Sequence, residues 1–275
     1  MKHIFLNLKR FDIPPEMGGV NRLAPVADWG STIVSAVQEK LKEFSCTEFA
    51  VFFPELHILP SAAAKTADSP LKLGCQSIYR ADTAVGGNFG AFTTNRTGNI
   101  MKAAGCEYVI IGHCEERNDK NGILEAADIT APEVIDRILN AEVKAAQKAG
   151  LKVLFCIGEK DTELENWDEV LTRQLKLGLD GADMANVVIG YEPVWSIGPG
   201  KTPADKPYIT KATRLIKKVT GGADVVYGGG LKTDNAGMLA SIDEIDGGLI
   251  ALTQFTGEIG FYPDQYIEII KTYLG

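Results

Sequence analysis

The chain is 275 residues long with 45% apolar content, enough for one large domain or two small ones with a substantial core. Its formal net charge of -8 argues against nucleic acid or an anionic membrane as the main partner. An anionic ligand would have to be held by local dipoles and a few lysines.

Short apolar runs of β type alternate with longer helical patterns. The first strand is predicted near 3–8, followed by a long loop over 10–30 and a helix near 31–44. A strand near 48–53 and a helix near 57–67 come next, then a strand near 71–76. A second long loop, 78–95, carries Gly86-Gly87-Asn88-Phe89-Gly90, and loops of this length in a compact domain are often functional or interfacial. A helix is predicted near 96–105 and a strand near 107–112. The helix near 132–149 shows the logic. Thr130 and Glu133 have capping-box spacing, and Pro132 suits the first turn. Val134, Ile138, Ala141 and Ala145 recur on one face, and Gly150 suits a left-handed terminus. Strands near 151–157, 187–191, 223–227 and 247–252 then alternate with helices near 163–179, 204–220, 234–241 and 263–273.

Eight such alternations predict a parallel α/β fold. A closed (β/α)8 TIM barrel takes about 250 residues, so one barrel domain over 1–275 accounts for the length. A doubly wound open sheet is the alternative, weakened because no G-x-G-x-x-G follows the first strand.

In such a barrel, chemistry sits at the C-terminal ends of the strands. The run Val188–Tyr191 ends on Glu192, and Pro193-Val194-Trp195 and a glycine-rich stretch from Gly198 follow, leading to Lys201-Thr202-Pro203. A carboxylate fixed at a strand tip beside a mobile lid suits proton transfer, because the base must be rigid and the lid must exclude water. The first strand ends in Asn7-Leu8-Lys9, with Asn7 and Lys9 on one side, and the fourth ends in Gly112-His113-Cys114-Glu115. Singly, Lys9 reads as a solvated lysine, His113 as structural and Glu192 as half of a rim ion pair. Jointly, at three strand ends, they support enolisation, with the carboxylate moving a proton and the others stabilising the oxyanion.

The five cysteines (Cys46, Cys75, Cys106, Cys114, Cys156) form no C-x-x-C pair, and the three histidines (His3, His57, His113) are scattered. No metal site is expected, and the sparse, odd cysteine count suits a cytoplasmic setting. The opening apolar run is too short for a signal peptide, and no stretch has the length of a membrane span.

Over essentially its whole length the chain resembles the triosephosphate isomerase family. The strings that carry the resemblance are Asn7-Leu8-Lys9, Gly90-Ala91-Phe92-Thr93, Ile111–Glu115, Cys156-Ile157-Gly158-Glu159, Tyr191–Thr202, Tyr227-Gly228-Gly229 and Asp246-Gly247, all in family order. The resemblance implies a barrel, a cofactor-free aldose–ketose isomerase acting on a small sugar phosphate, and a homodimer. It implies Glu192 as base, His113 as neutral electrophile, and Lys9 and Asn7 as supports for substrate charge, an arrangement this family itself illustrates. It also implies a lid over 193–203, with Pro193, Val194, Trp195, Lys201, Thr202 and Pro203 among its residues. Phe92 and Thr93 would belong to a loop that enters the neighbouring subunit and braces its site.

Departures concentrate in two places. The family grips phosphate with backbone N–H groups of the lid, of a Tyr-Gly-Gly-Ser turn and of a Gly-Gly pair after strand eight. Here Gly198 is kept, but the turn ends in Gly230, the Gly-Gly position holds Ala251-Leu252, and Thr253–Gly260 is an insertion. A leucine there is expected to crowd the pocket, re-aim the loop or select another substrate end. Gly230 lacks the serine hydroxyl and Pro203 lacks an N–H, so two lid-latching hydrogen bonds are expected to be lost, at about 1 kcal/mol each. The second place is the dimer contact. The family's arginine–glutamate pair is replaced by Glu116 and Asn95, and Glu116 is expected to meet Arg96 across the interface. Cys114 stands where the family usually has serine. An isomerase of a four-carbon ketose phosphate is the alternative substrate reading. A non-catalytic binding protein is the alternative of another class, and the complete acid–base set speaks against it.

Overall fold

The computed structural model describes residues 1–198 and 201–275. Strands β1 (Lys2–Asn7), β2 (Thr47–Phe53), β3 (Leu71–Cys75), β4 (Tyr108–Ile111), β5 (Lys152–Ile157), β6 (Val187–Tyr191), β7 (Val225–Tyr227) and β8 (Gly247–Ile250) pair in parallel in chain order and close into a barrel. Helices α1 (Trp29–Leu41), α2 (Glu55–Ala64), α3 (Gly98–Ala103), α4 (Cys114–Glu125), α5 (Pro132–Lys148), α6 (Trp167–Gly178), α7 (Lys206–Thr220), α8 (Thr233–Ala240) and α9 (Pro263–Leu274) follow the strands. The fold is the expected TIM barrel. No described helix is long and apolar enough to cross a membrane.

Period-two alternation divides the core into two layers. Phe5, Ala50, Phe52, Tyr108, Ile110, Leu154, Cys156, Val188, Val226 and Leu249 fill the barrel interior. The alternate positions, such as Ile4, Leu6, Phe49, Val51, Val153 and Ile189, pack against the helices. Each such buried side chain contributes roughly 1.5–3 kcal/mol, so the strands are held from both sides. Continuing the inward alternation beyond the apolar layer brings Asn7, Gln76, Glu192, Gly228 and Ala251 to the C-terminal mouth.

Several expectations shift. α4 was not expected from the sequence. It buries no residue, so it carries no apolar stripe to read. The capping box at Thr130 and Glu133 does not form: Ala131 is the N-cap and gives no side-chain cap. The face of α5 that turns inward is Ile135, Leu139, Val143 and Ala146, one step round from most of the predicted stripe. Asp136 also goes inward, because Arg117 Nη1 (2.7 Å) and Arg173 Nε (3.0 Å) neutralise it there. β8 stops at Ile250, which leaves Ala251 and Leu252 in the loop beyond. The loop 78–95 holds no strand or helix, and it exposes Val85 and Phe89 while Phe92 stacks on Tyr79 at 5.7 Å.

Candidate active site

Glu192 leaves the tip of β6 with its N–H donating to Ile157 O at 2.8 Å. Gly228 N–H donates to Tyr191 O at 2.6 Å, and a Cβ on Gly228 would stand 2.6 Å from Glu192 Cγ. Only glycine lets the β7 loop pass this close to the carboxylate. Glu192 is 2% exposed, and its oxygens meet two groups of the α4 N-terminus. Oε1 lies 3.0 Å from His113 Nε2, and Oε2 accepts the Cys114 N–H at 3.0 Å. Burial raises the Glu192 pKa, and the opposing pull of His113, Cys114 N–H and Lys9 does not cancel it.

His113 is the N-cap of α4, and its Nδ1 accepts the Glu115 N–H at 3.2 Å. An Nδ1 that accepts carries no proton, so the proton sits on Nε2 and points at Glu192. The preceding Gly112 adopts φ +80, in the left-handed region, to turn the strand into the helix. Cys114 lies beside this pair, with Sγ 3.8 Å from His113 Nδ1. Burial, and then the Glu192 charge, push its thiol up to about 12. It is a packing group at neutral pH, not a thiolate. Ligand-type atoms of His113, Cys114 and Glu192 lie within 4.8 Å of one another, a cluster that the scatter of histidines along the chain did not suggest.

Lys9 takes φ 41, a strained value for a residue with a side chain. Its N–H donates to Asn7 Oδ1 (3.1 Å), and Gln76 Nε2 donates to its carbonyl (3.0 Å), which holds the turn in place. The ammonium meets Glu115 Oε1 at 2.7 Å. Burial alone would depress the lysine pKa, but the bond to Glu115 and the charges of Glu115 and Glu192 raise it overall. Lys9, His113, Asn7 and Glu192 thus come to one mouth. Glu115 and Gln76 had been given no role from sequence; Glu115 lay inside a quoted motif, and nothing local flagged Gln76.

Glu159 was quoted in a motif without a role. It is fully buried and holds the segment Val194–Trp195 of the expected lid. It accepts the Trp195 indole N–H (2.8 Å), the Tyr191 hydroxyl (3.0 Å) and the Tyr208 hydroxyl (3.0 Å), and its carbonyl accepts the Val194 N–H (3.1 Å). Burial still raises its pKa against these donors. Pro193 is buried, while Lys201, Thr202 and Pro203 are exposed, with Lys201 Nζ 3.9 Å from Asp161. Positions 199 and 200 of the predicted lid lie outside the described residues.

On the expected phosphate side, Gly198 is exposed, and Gly230, Ala251 and Leu252 are half-buried. The Tyr227 ring folds over Gly229, where a side chain would collide with its hydroxyl, and burial pushes that hydroxyl up to about 12. A cavity of about 300 Å³ opens on the other flank, lined by Asn7, Lys9, Gln76, Arg96, His113, Glu115, Glu116 and Lys120 among others.

Glu116, expected to meet Arg96 across a subunit interface, already has partners in its own chain. Glu116 accepts the Gly112 N–H (2.6 Å), the Lys120 ammonium (2.7 Å) and the Ser77 hydroxyl (3.2 Å), all within its own chain. Burial would raise its pKa, but Lys120 and the Gly112 N–H bring it below the ordinary value. Glu142, buried beside it, rises to about 8 through burial and the Glu116 charge. Arg96 stands 3.7 Å from Glu55 instead.

The family model described as triosephosphate isomerase matches residues 27–271. The triosephosphate isomerase of Prosthecochloris aestuarii is 32% identical over 248 residues, covering 86% of this chain and 89% of that one. That of Syntrophotalea carbinolica is 33% identical, covering 80% and 83% respectively. The crystal structure of triosephosphate isomerase from Bartonella henselae superposes with a TM-score of 0.74 over 100% of this chain and 99% of that one, at 24% identity, a likeness of fold. On the family match and the shared length with these relatives, the chain belongs to the triosephosphate isomerase family, a family of aldose–ketose isomerases.

Proposed function

We propose that the protein interconverts glyceraldehyde 3-phosphate and dihydroxyacetone phosphate through an enediol(ate), without a cofactor. The observation that carries this reading is Glu192: buried, raised in pKa by burial, and 3.0 Å from the histidine nitrogen whose proton points at it. In this reading Glu192 removes the proton from the carbon beside the substrate carbonyl. His113 Nε2–H donates to the carbonyl oxygen as charge develops, and the Lys9 ammonium and Asn7 amide stabilise the oxyanion. The proton on Glu192 then returns to the neighbouring carbon, while His113, having passed its Nε2 proton to the former carbonyl oxygen, takes back the proton of the adjacent hydroxyl, which leaves the enzyme unchanged. Residues 193–203 act as the lid, with Pro193, Val194 and Trp195 as its stem, and exclude water from the enediolate. Gly198, Gly230, Ala251 and Leu252 border the phosphate.

The same proposal includes a homodimer. Each subunit's 78–95 loop, with Phe92 and Thr93, enters the cavity beside Lys9 and Glu115 of the other. Exposed apolar residues on the loop and an open cavity of about 300 Å³ support it.

The test is exchange of solvent deuterium into triose and tetrose phosphates, followed by NMR, alongside isomerisation rates. Exchange into the triose phosphates that Glu192→Gln abolishes is expected. No exchange into any sugar phosphate overturns the reading, and faster turnover of a tetrose phosphate transfers it to that substrate. Sedimentation of Thr93→Arg tests the dimer: a monomer with low activity is expected, and an unaltered dimer overturns that part.

A further inference from the structure

We propose that Lys232, backed by Phe255 of the inserted hairpin, grips the phosphate end of the substrate in place of the serine turn and Gly-Gly pair that the resemblance led us to expect. The proposal rests on the isomerase reading, because it takes that site as the place where the substrate's anionic end lies.

The loop from Gly228 to Lys232 connects the base to this end. Gly228 touches Glu192, and four residues later Lys232 precedes α8. The intervening backbone is fixed. Leu231 N–H donates to Leu249 O at 3.0 Å, and the Leu231 side chain covers Gly248 of β8. Asn235 accepts the Lys232 N–H (2.8 Å) and donates to Gly230 O (2.8 Å). Lys232 Cε lies 3.4 Å from the point a Cβ on Gly230 would occupy. The lysine stem therefore borders, in van der Waals contact, the space that a side chain at 230 would take, and its ammonium stands one bond further on.

That ammonium lies 4.0 Å from the centroid of the Phe255 ring. No carboxylate comes within 4.0 Å of it among the described residues. Phe255 sits in the insertion, which is a built hairpin. Gln254 and Gly260 exchange backbone hydrogen bonds (3.1 and 3.2 Å), Tyr262 N–H donates to Thr253 Oγ1 (2.8 Å), and Arg22 donates to Ile259 O (2.9 Å). The hairpin thus holds an aromatic face against one side of the lysine and leaves its charge unneutralised. A cation–π contact at a part-exposed site is weak, whereas a charge-assisted bond to a dianion is about twice as strong as a neutral hydrogen bond and gains Coulomb energy besides. A phosphate arriving between Gly230 and Phe255 meets a pre-positioned cation. Loss of a hydroxyl at 230, a Gly-Gly pair replaced by Ala251-Leu252, an eight-residue insertion and a lysine at 232 become one exchange of anchor.

The experiment compares wild type with Lys232→Met, Lys232→Arg and Phe255→Ala. It measures kcat/KM for glyceraldehyde 3-phosphate and for unphosphorylated glyceraldehyde, and binding of inorganic phosphate by calorimetry. With Lys232→Met, the ratio of the two kcat/KM values should fall about tenfold or more, and phosphate should bind about tenfold more weakly. Lys232→Arg should retain most of both, and Phe255→Ala should lie between. A phosphate affinity untouched by Lys232→Met, or equal losses on both substrates, overturns the proposal. If wild type isomerises neither substrate, the reaction assignment fails on its own, and calorimetry still decides whether Lys232 holds phosphate.

Discussion

The two ends of the barrel treat a buried glutamate in opposite ways. At the N-terminal end Glu48 meets His3 Nδ1 (2.9 Å), the Tyr108 hydroxyl (2.6 Å), Lys152 (3.3 Å) and Lys72, and His3 Nε2 reaches Asp224 (2.8 Å). Burial would raise Glu48, yet the donors His3, Lys72 and Tyr108 together hold it well below the carboxylate range. At the C-terminal end Glu192 has two donors, and burial wins, so its pKa rises. The first carboxylate is saturated with partners and is a strut. The second is under-satisfied and retains proton affinity, as the proposed base must.

The sharpest way to break this comparison is to neutralise each glutamate. Glu192→Gln should lower kcat about 10³-fold, within the range for loss of a general base. Its folded pKa is raised, so ionised Glu192 costs stability as pH climbs from the ordinary carboxylate value through the raised one. The variant's Tm at neutral pH should therefore stay level or rise. The acid limb of kcat/KM for wild type should lie above the ordinary carboxylate range. A fall in Tm with activity retained would reverse the two assignments.

Glu48→Gln should do the opposite. It leaves His3, Lys72 and Lys152 without their common anion, and breaking such a cluster costs about 3 kcal/mol, the low end because Lys152 and Asp224 reach solvent. Turnover per folded molecule should persist. The depressed Glu48 pKa contributes stability above the ordinary carboxylate value, lost as pH falls through the folded one. The raised His3 pKa contributes below about 6.5 and is lost as pH rises through its folded value. Chemical denaturation across pH should show wild type and Glu48→Gln converging in acid. A constant gap would remove Glu48 from the network.

Glu115→Gln tests the link between the lysine and the histidine helix. Glu115 binds Lys9 at 2.7 Å and offers its N–H to His113, so only its side-chain role is removed. With the carboxylate gone, Lys9 loses its fixed position, and kcat/KM should fall about tenfold, since small displacements of positioning groups are costly. The alkaline limb should also move to lower pH, because Glu115 is what raises Lys9. Wild-type kinetics in this variant would make the pair a solvated surface contact.

What was legible in the sequence was local. The strand tips carry their residues on short strings: period two turns Asn7, Lys9 and Glu192 inward, while His113, out of phase with the inward Tyr108 and Ile110, is marked by its strand-end string alone and is brought round by the turn at Gly112. What was illegible depends on docking between distant elements. The Glu48 cluster draws on β1, β2, β3, β4, β5 and the residue before β7, and each member alone looks like an ordinary polar start of a strand. Glu116 looked free to pair across an interface because its i,i+4 contact with Lys120 needs α4, which was not read from the sequence, and Glu142 comes beside it only once α4 packs on α5. α4 is mostly polar, with Leu124 packed against the core near its far end, and its place is set by the His113 cap and by Arg117 reaching Gly112 O (2.8 Å). Lys232 was passed over because its meaning lies in Phe255, 23 positions along the chain, and in the space left empty at Gly230.

The smallest expected effect concerns how firmly the reactive end is tethered. Trp195 donates to Glu159 at 2.8 Å and stacks edge-on against Tyr208 at 5.2 Å, and Tyr208 donates to the same carboxylate. Trp195→Phe removes about 1 kcal/mol of hydrogen bonding from the stem of the proposed lid while keeping an aromatic ring there. If the lid must leave this tether to close, weakening it should alter kcat by up to about fivefold and change its dependence on solvent viscosity. Tyr208→Phe takes a donor from the same carboxylate but belongs to α7, not to the lid. It should lower stability by a similar amount and leave kcat within twofold. Equal kinetic effects from the two variants would mean that Glu159 acts on the lid only through the rigidity of its surroundings. It would then be a second strut, placed by chance at the catalytic end.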